Sequence, residues 1–140
     1  VAMRAIDREF APDEFIQGAR AAYEMVIEAY SKGNRDTLKM LLSDTLYTQF
    51  DASLTEAEKA GTRDDTTLAA ITKSEFASAE LKGSSATIAI DFVSEQIHLV
   101  RDAEGTIIEG NPSHTSSVED RWVFTRNLTN SDPNWKIIET

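Results

Sequence analysis

Apolar residues recur at spacings of three and four over the first sixty positions, then at a spacing of two beyond residue 64. That change of period predicts helices followed by strands. Residues 1–10 place Met3, Ile6 and Phe10 on one side, with Arg4, Asp7, Arg8 and Glu9 around the rest, which predicts a short amphipathic helix. Pro12-Asp13-Glu14 then opens a stronger helix, with proline in the first turn and carboxylates at the positive end of the dipole. Phe15, Ala19, Ala22, Tyr23, Val26, Ile27 and Tyr30 form its apolar stripe, and Gly33 is a natural stop. Asn34 caps a short helix over 35–42 that buries Leu38, Leu41 and Leu42. Ser43 or Asp44 caps a further helix carrying Leu46, Phe50, Leu54 and Ala57, which ends near Gly61.

The strand half is less regular. The run 67–81 mixes β-formers with alanines and predicts one strand over 69–81. Lys82-Gly83-Ser84 turns the chain into a long strand over 85–100. Ala86, Ile88, Ile90 and Phe92 alternate there on even positions, whereas Val93, Ile97 and Leu99 are odd. A straight strand cannot hold both sets on one face, so a bulge or sharp bend is expected near 93–96. Asp102-Ala103-Glu104-Gly105 is a hairpin loop, 106–109 a short returning strand and 110–116 a loop. Strands over 118–126 and 135–140 complete the sheet, joined through the turn Ser131-Asp132-Pro133-Asn134. This closing hairpin brings Trp122 and Trp135 into one hydrophobic body.

The order predicts an α+β fold: three N-terminal helices packed on a strongly bent antiparallel sheet of about four to five strands. The division expected is an amphipathic segment over 1–10 and a single domain over 11–140. A curved sheet against helices makes a cone. Tyr23, Phe76, Ile88, Ile90, Phe92, Trp122 and Phe124 either line an apolar cavity inside it or fill its core.

With 140 residues and no cysteine, the chain can bury a core without disulfides, and thiol chemistry and cysteine-bound zinc are excluded. No apolar run approaches the roughly 18 residues that cross a bilayer. Because the chain begins at Val1, we expect an excised piece with any anchor lying upstream. The net charge of −10 argues against nucleic acid as a partner. Residues 1–42 carry six Lys/Arg against seven Asp/Glu, whereas 43–140 carry eight against seventeen. An anionic membrane would therefore repel the sheet half and tolerate the helical half.

Catalytic signals are sparse. His98 should point away from Ile97 and Leu99, and His114 lies in a polar loop. The two histidines with Glu95 and Glu109 lack metal-ligand spacing, and no cofactor motif is present. Asp120 shares strand parity with Trp122 and so would reach a pocket, as would Asp91 if the bend turned it inward. An enzyme of a cone-shaped fold would use one of these aspartates or His98.

Phe15-x-x-Gly18-Ala19-x-x-Ala22-Tyr23-Glu24 and Gly33-Asn34-Arg35-Asp36-x-Leu38-Lys39-x-Leu41-Leu42-Ser43 resemble the Tim44-like C-terminal domain family. So do Ala79-Glu80-Leu81-Lys82-Gly83, Phe92-Val93-Ser94, Arg101-Asp102-x-x-Gly105, Asp120-x-Trp122-x-Phe124-x-Arg126 and Ser131-Asp132-Pro133-Asn134-Trp135-Lys136. The resemblance runs in order over 10–140. It implies a cystatin-like or nuclear-transport-factor-like cone and a non-enzymatic scaffold at the inner membrane, tethering an import-motor chaperone to a translocase channel. It further implies contact with anionic phospholipid, cardiolipin among them, through the N-terminal helices: here Met3, Arg4, Ile6, Arg8, Phe10 and Arg20. An apolar pocket holding a small ligand or lipid is the alternative, and a homodimer through the sheet edge stays open. The sequence pI of 4.6 is low for a mitochondrial matrix domain, which favours a bacterial homologue at the inner membrane.

Overall fold

A computed structural model describes residues 12–129 and 135–140. The expected amphipathic helix over 1–10 and the Ser131–Asn134 turn lie outside the described residues.

Helix α1 (Pro12–Lys32) has Asp13 and Glu14 in its first turn and Lys32 in its last, and buries Ala19, Tyr23, Val26 and Ala29. Helix α2 (Arg35–Leu41) begins where the Asn34 side chain accepts from the Thr37 amide at 3.2 Å. Helix α3 (Asp44–Ala60) is capped by Ser43, whose Oγ accepts from the Leu46 amide at 3.3 Å, and ends at Gly61 with φ of 71°. Arg35 ties α2 to α3: its Nε donates to Asp51 at 2.6 Å and one terminal nitrogen donates to Glu58 at 2.9 Å. Those two carboxylates hold the Arg35 pKa above its ordinary value.

Five strands follow: β1 (Thr62–Lys82), β2 (Ser85–Asp102), β3 (Ile107–Glu109), β4 (Ser116–Asn127) and β5 (Lys136–Glu139). They form one open antiparallel sheet in the order β1-β2-β4-β5, with β3 paired to the far end of β2. The closing hairpin is present, since β4 pairs with β5 through Phe124↔Ile137. A parallel bridge joins Leu42 to Ile137, and the Ser43 amide donates to the Ile137 carbonyl at 2.8 Å. The α2–α3 junction is thereby seated on the last strand.

Two expectations for the strands are corrected. The first strand spans Thr62–Lys82 rather than 69–81. Its alternation was hidden because Ala69, Thr72 and Ala77 are extra residues, each inserted where the register against β2 shifts by one. The expected irregularity opposite 93–96 exists, but β1 carries it. Strand β2 itself pairs with β4 without interruption from Ser85↔Asn127 to Gln96↔Ser116. The conflicting apolar sets therefore stay on opposite faces.

The even face of β2, with Ala86, Ile88, Ile90 and Phe92, is buried beneath the helices. Leu99, on the odd face, is buried too. Gly110 packs directly over it: a Cβ there would lie 2.3 Å from the His98 carbonyl oxygen and 3.0 Å from Leu99 Cδ2. That approach needs a residue with no side chain, at a φ of 92°.

Candidate functional site

The alternation of β2 places Ser94 on the same face as Phe92, and the alternation of β4 places Asp120 on the same face as Trp122. Both therefore point at α1, where Tyr23 occupies the middle of the apolar stripe. The Tyr23 ring packs on Phe92 at 4.4 Å and on Trp122 at 4.6 Å between centroids. Its hydroxyl continues past the rings into a polar cluster.

That hydroxyl donates to Asp120 Oδ2 at 3.0 Å and lies 2.8 Å from Ser94 Oγ. Gln96 Nε2 donates to both oxygens, at 3.0 Å to Tyr23 and 2.9 Å to Ser94. Ser94 is fully buried, so the cluster gives it partners that water cannot reach. The Tyr23 pKa is pushed up to about 12. Burial is the largest cause; the Ser94 and Gln96 hydrogen bonds oppose it, while the charge and hydrogen bond of Asp120 reinforce it.

Above the cluster opens a cleft of about 410 Å³. Val26, Ile27, Tyr30, Phe50, Val118 and Trp122 supply apolar walls, and Gln96 and Asp120 line it as well. Its size lies in the range of small-molecule sites. A second, larger groove runs between α1 and β1, bordered by Glu24, Glu28 and Lys32 and floored by Ile27, Leu68 and Ile71.

The residues expected to line an apolar cavity separate into three groups. Trp122 is a wall of the cleft. Tyr23, Ile88, Ile90, Phe92 and Phe124 are packed into the core between α1 and the sheet. Phe76 instead lies 40% exposed on the edge strand, stacked on Phe15 at 6.0 Å. Trp135 meets Phe15 edge-on at 5.0 Å, so the second tryptophan anchors the N-terminal end of α1.

Among the residues expected to touch lipid, Met3, Arg4, Ile6, Arg8 and Phe10 lie outside the described residues. Arg20 is committed to the sheet: it donates to Ser74 Oγ at 3.0 Å and to the Ile71 carbonyl at 3.4 Å. The acid–base candidates are dispersed. Asp91 does not turn inward; it pairs with Arg121 at 2.7 Å on the outer face, which holds its carboxyl below the usual range. His98 is 58% exposed, 3.5 Å from Asp64, and His114 is exposed in its loop. Only Asp120 reaches a cleft. No group of three His, Asp or Glu suited to a metal occurs among the described residues. Gln96 was not singled out from the sequence and Ser94 only within the Phe92-Val93-Ser94 resemblance, although a serine continuing the even apolar set of β2 was a readable sign of a buried polar partner.

The family model for the Tim44-like domain matches residues 1–140. The chain is 23% identical over 138 residues to a probable mitochondrial import inner membrane translocase subunit, tin-44, of Caenorhabditis elegans, covering 96% of this chain and 32% of that protein. It is 28% identical over 122 residues to mitochondrial import inner membrane translocase subunit TIM44-1 of Arabidopsis thaliana, covering 87% of this chain and 26% of that protein. The chain thus spans about a third or less of each relative. Both relatives are mitochondrial, and the bacterial origin expected from the acidic pI finds no support in them. Among solved structures, the intermembrane space region of the chloroplast protein ARC6 superposes with a TM-score of 0.54 at 16% identity, covering 89% of this chain and 92% of that one. That likeness concerns the fold, and it is the α+β arrangement expected from the sequence.

Proposed function

The chain belongs to the Tim44-like domain family, and from that membership we propose that it is a non-enzymatic scaffold domain held peripherally at an inner membrane. The observation that carries this reading is the match of the family model to the entire chain. Two relatives named as inner-membrane translocase subunits support it, and so does the absence, among the described residues, of a helix long and apolar enough to cross a bilayer. Attachment runs through the amphipathic pattern of residues 1–10. Met3, Ile6 and Phe10 insert, and Arg4 and Arg8 meet anionic headgroups such as cardiolipin. The protein partner belongs to a translocase or its chaperone.

Flotation of the 140-residue chain with cardiolipin-containing vesicles tests this reading. The triple variant Met3→Ser, Ile6→Ser, Phe10→Ser is expected to stay at the bottom of the gradient while the parent chain floats. Equal flotation of the two would remove the N-terminal segment as the attachment.

A second reading, a binding domain for a small apolar ligand, is favoured by the cleft beneath Trp122. That cleft, rather than the packed set around Ile88 and Ile90, would be the ligand's place.

A further inference from the structure

The polar cluster leaves one charged acceptor at the cleft, Asp120. Tyr23 has one O–H, and Asp120 takes it. Ser94 Oγ shares a hydrogen bond with the Tyr23 hydroxyl, and Gln96 Nε2 lies within hydrogen-bond distance of both oxygens. Asp120 Oδ1 and Gln96 Oε1 have no hydrogen-bond partner among the described residues, and both residues line the cleft. Among the described residues, no Lys or Arg lines the cleft to neutralise Asp120. Around these two acceptors stand Tyr30, Phe50 and Trp122.

We propose that this cleft binds a small amphiphile bearing a primary ammonium group. The inference rests on the small-ligand reading above and names the ligand's chemistry. A carboxylate or phosphate headgroup would place its own negative charge beside Asp120, and the Tyr30, Ser53 and Thr66 hydroxyls that also line the cleft carry no charge to offset it. An ammonium brings three N–H donors and the opposite charge, and aromatic faces favour a cation further. A neutral hydroxyl supplies one donor and no charge, so it ranks between the two. The apolar walls take the hydrocarbon body. A charge-assisted hydrogen bond to Asp120 gives an advantage over the alcohol of about tenfold or more.

The test uses the 140-residue chain at pH 7 with dodecylamine, dodecanol and dodecanoate below their aggregation limits, read by calorimetry and by tryptophan fluorescence. Expected is one dodecylamine per chain, bound at least about tenfold more tightly than dodecanol, with dodecanoate weaker than both. Because the net charge of −10 attracts any cation, the site is identified by variants. Asp120→Asn keeps an acceptor for the Tyr23 hydroxyl and should bring the amine down to the level of the alcohol. Glu104→Gln, in the exposed β2–β3 turn, should change nothing. If Asp120→Asn does not fold, Ser53→Lys places a cation at the exposed rim of the cleft and should displace the amine. Equal binding of amine, alcohol and carboxylate would overturn the ammonium assignment while leaving a small-ligand cleft. Binding of none of the three would overturn both. Amine binding that is multiple, or indifferent to Asp120→Asn and Ser53→Lys, would place the cation elsewhere on the acidic surface.

Discussion

One hydroxyl, that of Tyr23, is shared among Ser94, Gln96 and Asp120. Removing it leaves the fully buried Ser94 short of a partner and takes an acceptor from the Gln96 amide. Tyr23→Phe is therefore expected to lower stability by about 1–3 kcal/mol, seen as an earlier urea midpoint with an unchanged slope. No shift in midpoint would mean that the cluster is solvated. The same residue gives the protein an alkaline limit. Its phenol is held neutral in the fold up to about pH 12, against an ordinary value of 10.0. Below pH 10 the contribution is complete. Between pH 10 and 12 the unfolded chain releases a proton that the fold retains, so stability falls, by about 2–3 kcal/mol across the window. Absorbance at 295 nm should show a component titrating near pH 12 that Tyr23→Phe lacks. Its persistence in that variant would assign it to another tyrosine.

The helices were legible because each carries its own punctuation: Pro12, Asn34, Ser43 and Gly61 stand where the helices begin and end. Strand β1 was not, since three inserted residues reset its alternation and Thr72 uses its side chain to reach the Val93 carbonyl at 3.2 Å. Periodicity reads an element only where the element is regular. The site divides along the same line. Tyr23, Trp122 and Asp120 were visible from their faces, whereas Ser94 and Gln96 acquire meaning only once β2 lies against α1. Leu99 posed a similar problem, since it packs against a glycine eleven positions on, in the loop after β3. Gly110→Ala should therefore cost at least about 2 kcal/mol, from backbone strain plus collision with the His98 carbonyl. Gly83→Ala is the comparison: its φ is 59° and nothing lies within 4 Å of a Cβ there, so only strain of about 1 kcal/mol applies. Equal losses in thermal or urea unfolding would mean that the loop moves away and Leu99 is not sealed by it.

For the molecule as a whole, charge decides what kind of membrane contact is available. The net charge is −10, and residues 43–140 account for most of it. Of the three arginines expected at the lipid face, Arg20 is engaged by Ser74 and Ile71, which leaves Arg4 and Arg8. A basic residue near an anionic surface contributes about 1 kcal/mol, so the attraction amounts to at most roughly 2 kcal/mol and is opposed by Asp7 and Glu9 beside them and by the rest of the chain. In the proposed attachment, insertion of Met3, Ile6 and Phe10, each burying a side chain worth about 1.5–3 kcal/mol, would be the larger effect and insensitive to charge screening. A contact governed by basic charge weakens as salt shortens the screening length from about 10 Å at 0.1 M toward 3 Å at 1 M. The net charge of −10 opposes an anionic surface, so in the proposed attachment screening should preserve or strengthen binding. Flotation with cardiolipin-containing vesicles is accordingly expected to hold or rise between about 0.05 and 0.5 M salt, a span over which the screening length falls severalfold. A fall to background over that range would show that basic charge, not apolar insertion, holds the domain at the membrane.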